Sequence, residues 1–115
     1  MDVVVTVPKS FGLDKWVAEG DAAGEPWSGQ LWFFSCGGAK PNILQGERVY
    51  VVCEGKLRGY ALLVSLHWNG MRGELIRGGN AVAVTLDEPV QGFRGWRYRW
   101  WGREREKPFP DWRKV

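Results

Sequence analysis

Residues 48–68, RVYVVCEGKLRGYALLVSLHW, constrain the fold more than any other part of the chain. Two runs rich in β-branched and aromatic residues flank Glu54 and Gly55, and a glycine in a two-residue turn readily adopts a positive φ. This arrangement predicts a β-hairpin. Gly59 lies inside the second run, where a glycine suits a bulge or a bend, and such bends let a sheet curl into a barrel.

The sequence before the hairpin predicts a buried strand, a helix and an aromatic strand. Residues 3–7, VVVTV, form a continuous apolar run closed by Pro8, which is typical of a strand buried on both faces. Ser10 is a helix-capping residue, apolar residues follow it at i, i+3 and i+4 spacing, and Gly20 supplies a stop signal. Residues 30–36, QLWFFSC, return to the composition of a strand.

Glycine and proline divide the rest of the chain into short elements. Three further strands are predicted, over residues 74–79, 80–86 and 96–101. A basic tail from about residue 102 contains Pro108 and Pro110, which argue against regular structure there. We therefore expect residues 1–115 to form a single domain of mainly β (α+β) class, a small, partly closed β-barrel with one main helix after the first strand.

Positive charge is concentrated towards the carboxyl end. The formal charge of the whole chain is +3, but eight Lys and Arg against three Asp and Glu give the segment from Phe93 onward +5, so residues 1–92 sum to −2. Such an asymmetry points to a polyanionic partner such as nucleic acid, and a solvated tail is the alternative.

The composition argues against several other classes of protein. Cys36 and Cys53 are too few for a disulfide framework, and with His67 as the single histidine we expect neither a metal nor a cofactor. No apolar run approaches the roughly 18 residues of a membrane-spanning helix, and the first residues lack a signal-peptide pattern. We therefore expect a soluble protein of the reducing cytoplasm. A low content of Asn and Gln beside many Arg and Glu is also a feature of thermophilic proteins.

Two short motifs in the hairpin region carry a resemblance to a known family. Residues 46–51, GERVYV, look like the Gly-acidic-x-Val-x-x strand entry of ASCH and EVE domains, and Gly59 with Ala61 looks like their Gly-x-Ala continuation. In these motifs and in its order of elements the chain resembles the PUA-like superfamily of small β-barrels. Members commonly bind RNA or modified bases, and some ASCH-like members act on modified nucleosides or cut RNA. The resemblance therefore implies a nucleic-acid ligand.

The stretch SCGGAKPN contains a candidate phosphate-binding loop. The backbone amides of Gly37 and Gly38, with Ser35 and Lys40 beside them, are the groups of an anion-binding nest, and a plain connecting loop is the alternative. Cys36 would need a base within hydrogen-bond reach to act as a nucleophile, so a buried structural cysteine is the favoured interpretation. We find no catalytic motif in the sequence.

Basic and aromatic side chains form a second candidate surface. Arg58 adds a cation on the predicted hairpin, on the same face as Tyr60. In WRYRWW, strand alternation predicts two faces: Trp96, Tyr98 and Trp100 inside the barrel, and Arg97, Arg99 and Trp101 on the outward side. For Trp101 both a binding role and a core role are open. Outward rings and cations of this kind stack on bases and contact phosphates.

The sequence thus predicts a nucleic-acid-binding module for RNA or a modified nucleotide. The candidate binding residues are Ser35, Gly37, Gly38, Lys40, Arg58, Arg97, Arg99 and Trp101. Two alternatives from other classes are a small ASCH-like hydrolase acting on modified nucleosides or RNA, and a protein-interaction module that uses the proline-containing tail.

Overall fold

The computed structural model describes residues 1–8, 32–78 and 81–109, and over these residues the protein is mainly β. The strands are β1 (Val3–Thr6), β2 (Trp32–Gly37), β3 (Arg48–Cys53), β4 (Lys56–Asn69), β5 (Arg72–Arg77), β6 (Val84–Thr85), β7 (Trp96–Tyr98) and β8 (Lys107–Pro108). The predicted helix from Ser10 to Gly20 lies outside the described residues. Within them the helical structure is one 3-10 turn, Arg103–Arg105, and no helix has the length and apolarity that crossing a membrane requires.

Six strands form one curled sheet in the order β2-β5-β4-β3-β1-β7, and β6 pairs with β8 in a small ribbon. The long strand β4 pairs with β3 along its first half and with β5 along its second, so the sheet bends along β4. The bend brings β7 towards the end of β2, where the Trp96 indole N–H donates to the Ala39 carbonyl at 2.8 Å. The described sheet is therefore a half-barrel, which confirms the predicted partly closed barrel.

The predicted hairpin is confirmed in its turn and in its bulge. Glu54 and Gly55 both have positive φ, 54° and 75°, the backbone of a type I′ turn, which matches the twist of the flanking strands. Val51 pairs with Gly59 while Val52 pairs with Leu57, so one extra residue of β4 is inserted at this point. The glycine has a φ of 154°, a conformation that side chains disfavour, and the strand bends there.

The turn makes a testable prediction about stability. Glu54 has a left-handed backbone that costs a residue with a Cβ about 1 kcal/mol, whereas asparagine adopts this conformation more readily. Glu54→Asn should therefore raise the free energy of unfolding by about 0.5 to 1 kcal/mol. Chemical denaturation of the variant and the parent protein measures the difference. Glu54→Val is the control, because a β-branched residue is disfavoured at positive φ and should lower the stability; equal stability of both variants would contradict this account.

Two hydrophobic clusters cover the two faces of β1 and β3. The inner cluster includes Val3, Val5, Val49, Val51, Leu63 and Leu75. The outer cluster consists of Val4, Tyr50, Val52, Leu57, Leu86, Val90 and Trp101. Both strands are thus buried on both sides, as the apolar run at residues 3–7 predicted for β1.

Glu106 holds the outer cluster to the strand β3. Its carboxylate accepts the Tyr50 hydroxyl at 2.6 Å, the Trp101 indole N–H at 2.9 Å and an Arg48 guanidinium N–H at 3.1 Å. The rings of Tyr50 and Trp101 meet edge to face with centroids 5.2 Å apart. Burial, and then the hydrogen bond to Glu106, raise the pKa of Tyr50, so this hydroxyl remains a donor.

The two predicted faces of residues 96–101 are correct at one end and wrong at the other. Trp96 and Tyr98 pack against the inner cluster, as predicted. Trp100, predicted to be inside, is 53% exposed, and Trp101, predicted to be outside, is 3% exposed. The reason is that β7 ends at Tyr98, so the alternation of a strand no longer applies to the residues that follow.

Candidate functional site

A large cavity lies between β1, β2 and the loop before β7. Its volume is about 920 Å³. The walls are largely apolar, formed by Val5, Val7, Pro8, Phe33, Phe34 and Phe93. Phe33 is 61% exposed, so an aromatic face is available to a ligand. Cavities of this size that combine apolar walls with a few polar groups are the usual sites of small ligands.

Three arginines supply the positive charge of this cavity and its edge, and we call them the rim arginines. Arg72 of β5 and Arg94 of the loop before β7 line the cavity directly. Arg97 lies beside it, with its guanidinium 4.7 Å from the centre of the Phe93 ring. All three are exposed, and within the part of the chain that the structure describes none makes an ion pair. Their charge is therefore available to a ligand.

Most other cations of the basic carboxyl segment are already neutralised. Arg99 and Arg103 both contact the Asp2 carboxylate, at 3.1 and 2.9 Å. The remaining pairs are Arg105 with Glu88 and Lys107 with Asp87. The charge of +5 counted from the sequence is thus in large part balanced by acidic residues elsewhere in the chain. Arg94 and Arg97 are the cations of residues 93–109 that stay unpaired among the described residues.

The structure brings part of the predicted binding loop to this cavity. Ser35 and Gly37 line it, and Lys40 is exposed in the loop that follows β2. The anion-binding nest lacks a required donor, however, because the Gly38 N–H donates to the Met71 carbonyl at 2.8 Å. Ser35 and Gly37 belong to the strand β2, and the loop begins only after Gly37. The rim arginines provide the charge that the nest was expected to provide.

Three predicted binding residues lie elsewhere and have structural contacts. Arg58 is 6% exposed, and its guanidinium stacks 4.6 Å from the centre of the Phe109 ring. Arg99 is held by Asp2, and Trp101 is buried with its N–H on Glu106. The alternation that placed Trp101 on the outward side fails because Trp101 follows the end of β7. Arg58 is the extra residue of the β4 bulge and is buried.

Sequence reasoning missed Arg72, Phe93 and Trp100. Arg72 reaches the cavity because β5 pairs with β2, opposite Gly37, and this long-range pairing leaves no local signal in the sequence. Trp100 is exposed beside Phe93, with ring centroids 6.1 Å apart, and extends the aromatic surface next to the cavity. The exposure of Trp100 could not be predicted without knowing that β7 ends at Tyr98.

Cys36 faces the cavity but lacks the partner of a catalytic thiol. Register pairs Cys36 with Gly73, whereas His67 pairs with Glu74, so the thiol and the imidazole lie on opposite faces of the sheet. Burial raises the pKa of Cys36, and the nearby charge of Arg72 offsets this only in part. Cys36 and Cys53 are both free and buried, and the burial of Cys36 is as predicted. Across the described residues no three His, Cys, Asp or Glu side chains converge on a metal position.

Comparison with known proteins does not extend this description. Protein-family models, curated protein sequences and solved structures were searched, and none matches the chain. The resemblance to PUA-like domains therefore remains a prediction from two short motifs and the order of elements, and the chain is assigned here to the class of curled, mainly β half-barrels.

Proposed function

We propose that this protein binds single-stranded RNA or a modified nucleotide in the cavity between β1, β2 and the loop before β7. One observation carries the proposal: an apolar, aromatic-lined cavity of about 920 Å³ has two arginines, Arg72 and Arg94, in its lining and neither has an ion-pair partner in the described residues. The cavity suits the flat, weakly polar face of a base, and the arginines suit the phosphate attached to it.

Aromatic rings supply the base-binding part of the proposal. Phe33 and Phe93 line the cavity, and Trp100 stands exposed beside Phe93. Stacking of one base on one ring contributes about 1 to 3 kcal/mol and tolerates many base sequences, because every base has a π face. We therefore expect the protein to bind single-stranded RNA and not double-stranded RNA, because only unpaired bases are free to leave the stack and contact the rings.

Phosphate contacts supply the rest of the affinity and its dependence on salt. An arginine that pairs with a phosphate releases condensed counterions, so the affinity falls as the salt concentration rises. Arg72, Arg94 and Arg97 are clustered at one opening, whereas the paired cations are attached to acidic side chains of the protein itself. The salt dependence should accordingly come from the rim arginines.

The rim arginines provide the test of this proposal. A double variant, Arg72→Ala with Arg94→Ala, should bind a labelled single-stranded RNA about tenfold more weakly at low salt. The slope of log affinity against log salt should also become shallower, by about 1.4 for two lost contacts. Fluorescence anisotropy at several salt concentrations measures both quantities.

Arg105→Ala is the matched control, because Arg105 is an exposed arginine of the same basic segment but is paired with Glu88. It should leave the RNA affinity and its slope nearly unchanged. A parent protein that binds neither single-stranded RNA nor nucleotides at low salt would overturn the proposal. Equal losses in Arg105→Ala and the double variant would show that net charge, and not this cavity, determines binding.

A further inference from the structure

A second hollow adjoins the cavity and differs from it in chemistry. It has a volume of about 370 Å³ and lies over the strands β2, β5 and β4. Its polar lining consists of Ser35, His67, Asn69, Arg72 and Glu74. We call it the outer hollow. Ser35 and Arg72 line both the outer hollow and the cavity, so the two spaces meet at these side chains.

Strand pairing places the polar groups of the outer hollow in one row. Ser35 of β2 pairs with Glu74 of β5, and Glu74 pairs with His67 of β4. Directly paired side chains lie on the same face of a sheet with Cβ atoms about 5 Å apart. A hydroxyl, a carboxylate and an imidazole therefore stand side by side across three strands, next to the guanidinium of Arg72.

These polar side chains have no partners of their own. Among the described residues, His67, Arg72 and Glu74 make no side-chain hydrogen bond or ion pair. Other carboxylates, such as Asp2 and Glu106, are engaged in ion pairs, whereas Glu74 shares its lack of a partner with Glu54 and Glu104 among the described residues. The outer hollow thus holds an unpaired acceptor, Glu74, together with unpaired donors, and a ligand that fits it needs both kinds of hydrogen-bonding group.

The base of the outer hollow is fixed by packing. The ring of Trp68 lies so close to Gly73 that a Cβ at this position would clash with it. The Trp68 indole N–H also donates to the Gly38 carbonyl at 3.0 Å, which ties β4 to the loop after β2. This packing fixes the backbone of β4 and β5, from which the polar side chains project on the opposite face of the sheet.

We infer that the outer hollow is a second nucleotide subsite, and that the natural ligand is RNA of at least two nucleotides. The inference rests on the proposed function: one base occupies the cavity, Arg72 contacts the phosphate that links the two nucleotides, and the neighbouring nucleotide lies over Glu74 and His67. The carboxylate of Glu74 accepts from a ribose 2′-hydroxyl or from a base N–H, groups by which proteins commonly recognise RNA.

Titration calorimetry with short ligands tests the inference. The probes are common ribonucleoside 5′-monophosphates and the corresponding 5′-phosphorylated ribodinucleotides, at one fixed salt concentration. We expect dinucleotides to bind at least about tenfold more tightly than mononucleotides. The Glu74→Gln and His67→Ala variants should lose most of that gain.

Glu104→Gln is the matched control, since Glu104 is an exposed carboxylate of the 3-10 turn and lies outside the outer hollow. It should keep the full dinucleotide gain. Mononucleotide binding without any dinucleotide gain would overturn the second subsite and leave the proposed function standing. A gain that survives in both Glu74→Gln and His67→Ala would likewise overturn it. Absence of binding by both classes of probe and by longer RNA would instead overturn the proposed function itself.

Discussion

Replacing Trp101 by alanine is expected to lower the free energy of unfolding by about 3 to 5 kcal/mol, the usual cost of removing a buried large aromatic side chain. Trp101 is 3% exposed in the outer cluster, packs edge to face on Tyr50 and donates its N–H to Glu106. The variant loses this packing and leaves a cavity beside a carboxylate that has lost one of its three donors. Equilibrium denaturation by urea, followed by circular dichroism, measures the change.

Trp100 is the matched control, since it is the same residue type one position earlier and is 53% exposed. Trp100→Ala should cost less than about 1 kcal/mol, because half of its surface is already in water. A larger loss of stability in Trp100→Ala than in Trp101→Ala would restore the alternation predicted from the sequence and contradict the placement of the two rings.

Removing the charge of Asp2 is expected to cost about 3 kcal/mol at neutral pH. The Asp2 side chain is 3% exposed and accepts the Arg48 backbone N–H at 2.9 Å, Arg99 Nε at 3.1 Å and Arg103 Nη2 at 2.9 Å. In Asp2→Asn two guanidinium groups lose their carboxylate, and the amide cannot accept all three hydrogen bonds. Loss of these contacts loosens the attachment of the carboxyl segment to the first strand.

The pKa of Asp2 determines how the stability difference between the parent protein and Asp2→Asn varies with pH. Burial alone would raise the pKa of Asp2, but the hydrogen bonds from Arg48, Arg103 and Arg99 outweigh it and hold the pKa below its ordinary value. The stabilisation by the Asp2 carboxylate is therefore fully present above the pKa of about 3.9 that this group has in the unfolded chain. It is lost as the pH falls through the lower pKa of the folded state.

The stability difference between the parent protein and Asp2→Asn should accordingly be constant from about pH 5 to 7 and should shrink in acid. Denaturation curves at a series of pH values measure it. Asp87→Asn is the control: its carboxylate contacts Lys107 on the surface, and its loss should have little effect at any pH. A difference for Asp2→Asn that grows in acid would contradict the direction of the pKa shift.

The parts of the fold that are determined by residues adjacent in sequence could be predicted. The β-branched run of β1 and the Glu54-Gly55 turn are local signals, and both elements are found where they were predicted. The bulge at Gly59 is also local, since it follows from one glycine within a long strand. The strand predicted over residues 80–86 is shorter in the structure, where β6 covers only Val84–Thr85, because its ribbon partner β8 is equally short.

The candidate site could be predicted only in part, because long-range pairing assembles it. The loop that begins at Ser35 was singled out from its glycines and lysine, and it does border the cavity. Arg72 joins it through the pairing of β5 with β2, which no local pattern reveals. The charge count near the carboxyl end also overestimated the positive charge that is available to a ligand. The sequence could not show that Asp2, far away in the chain, neutralises Arg99 and Arg103.

The position of β1 in the middle of the sheet has a consequence for how the chain folds. β1 is parallel to β3 on one side and antiparallel to β7 on the other, so Val3 pairs with both Val49 and Tyr98. β1 is therefore synthesised long before β7, and its second edge stays uncovered until the residues around Tyr98 have been made. Folding that depends on contacts so far apart in sequence is slow, on the order of milliseconds to seconds. Until Tyr98 emerges, β1 exposes an unpaired apolar edge, and the nascent chain is most prone to aggregation during that interval.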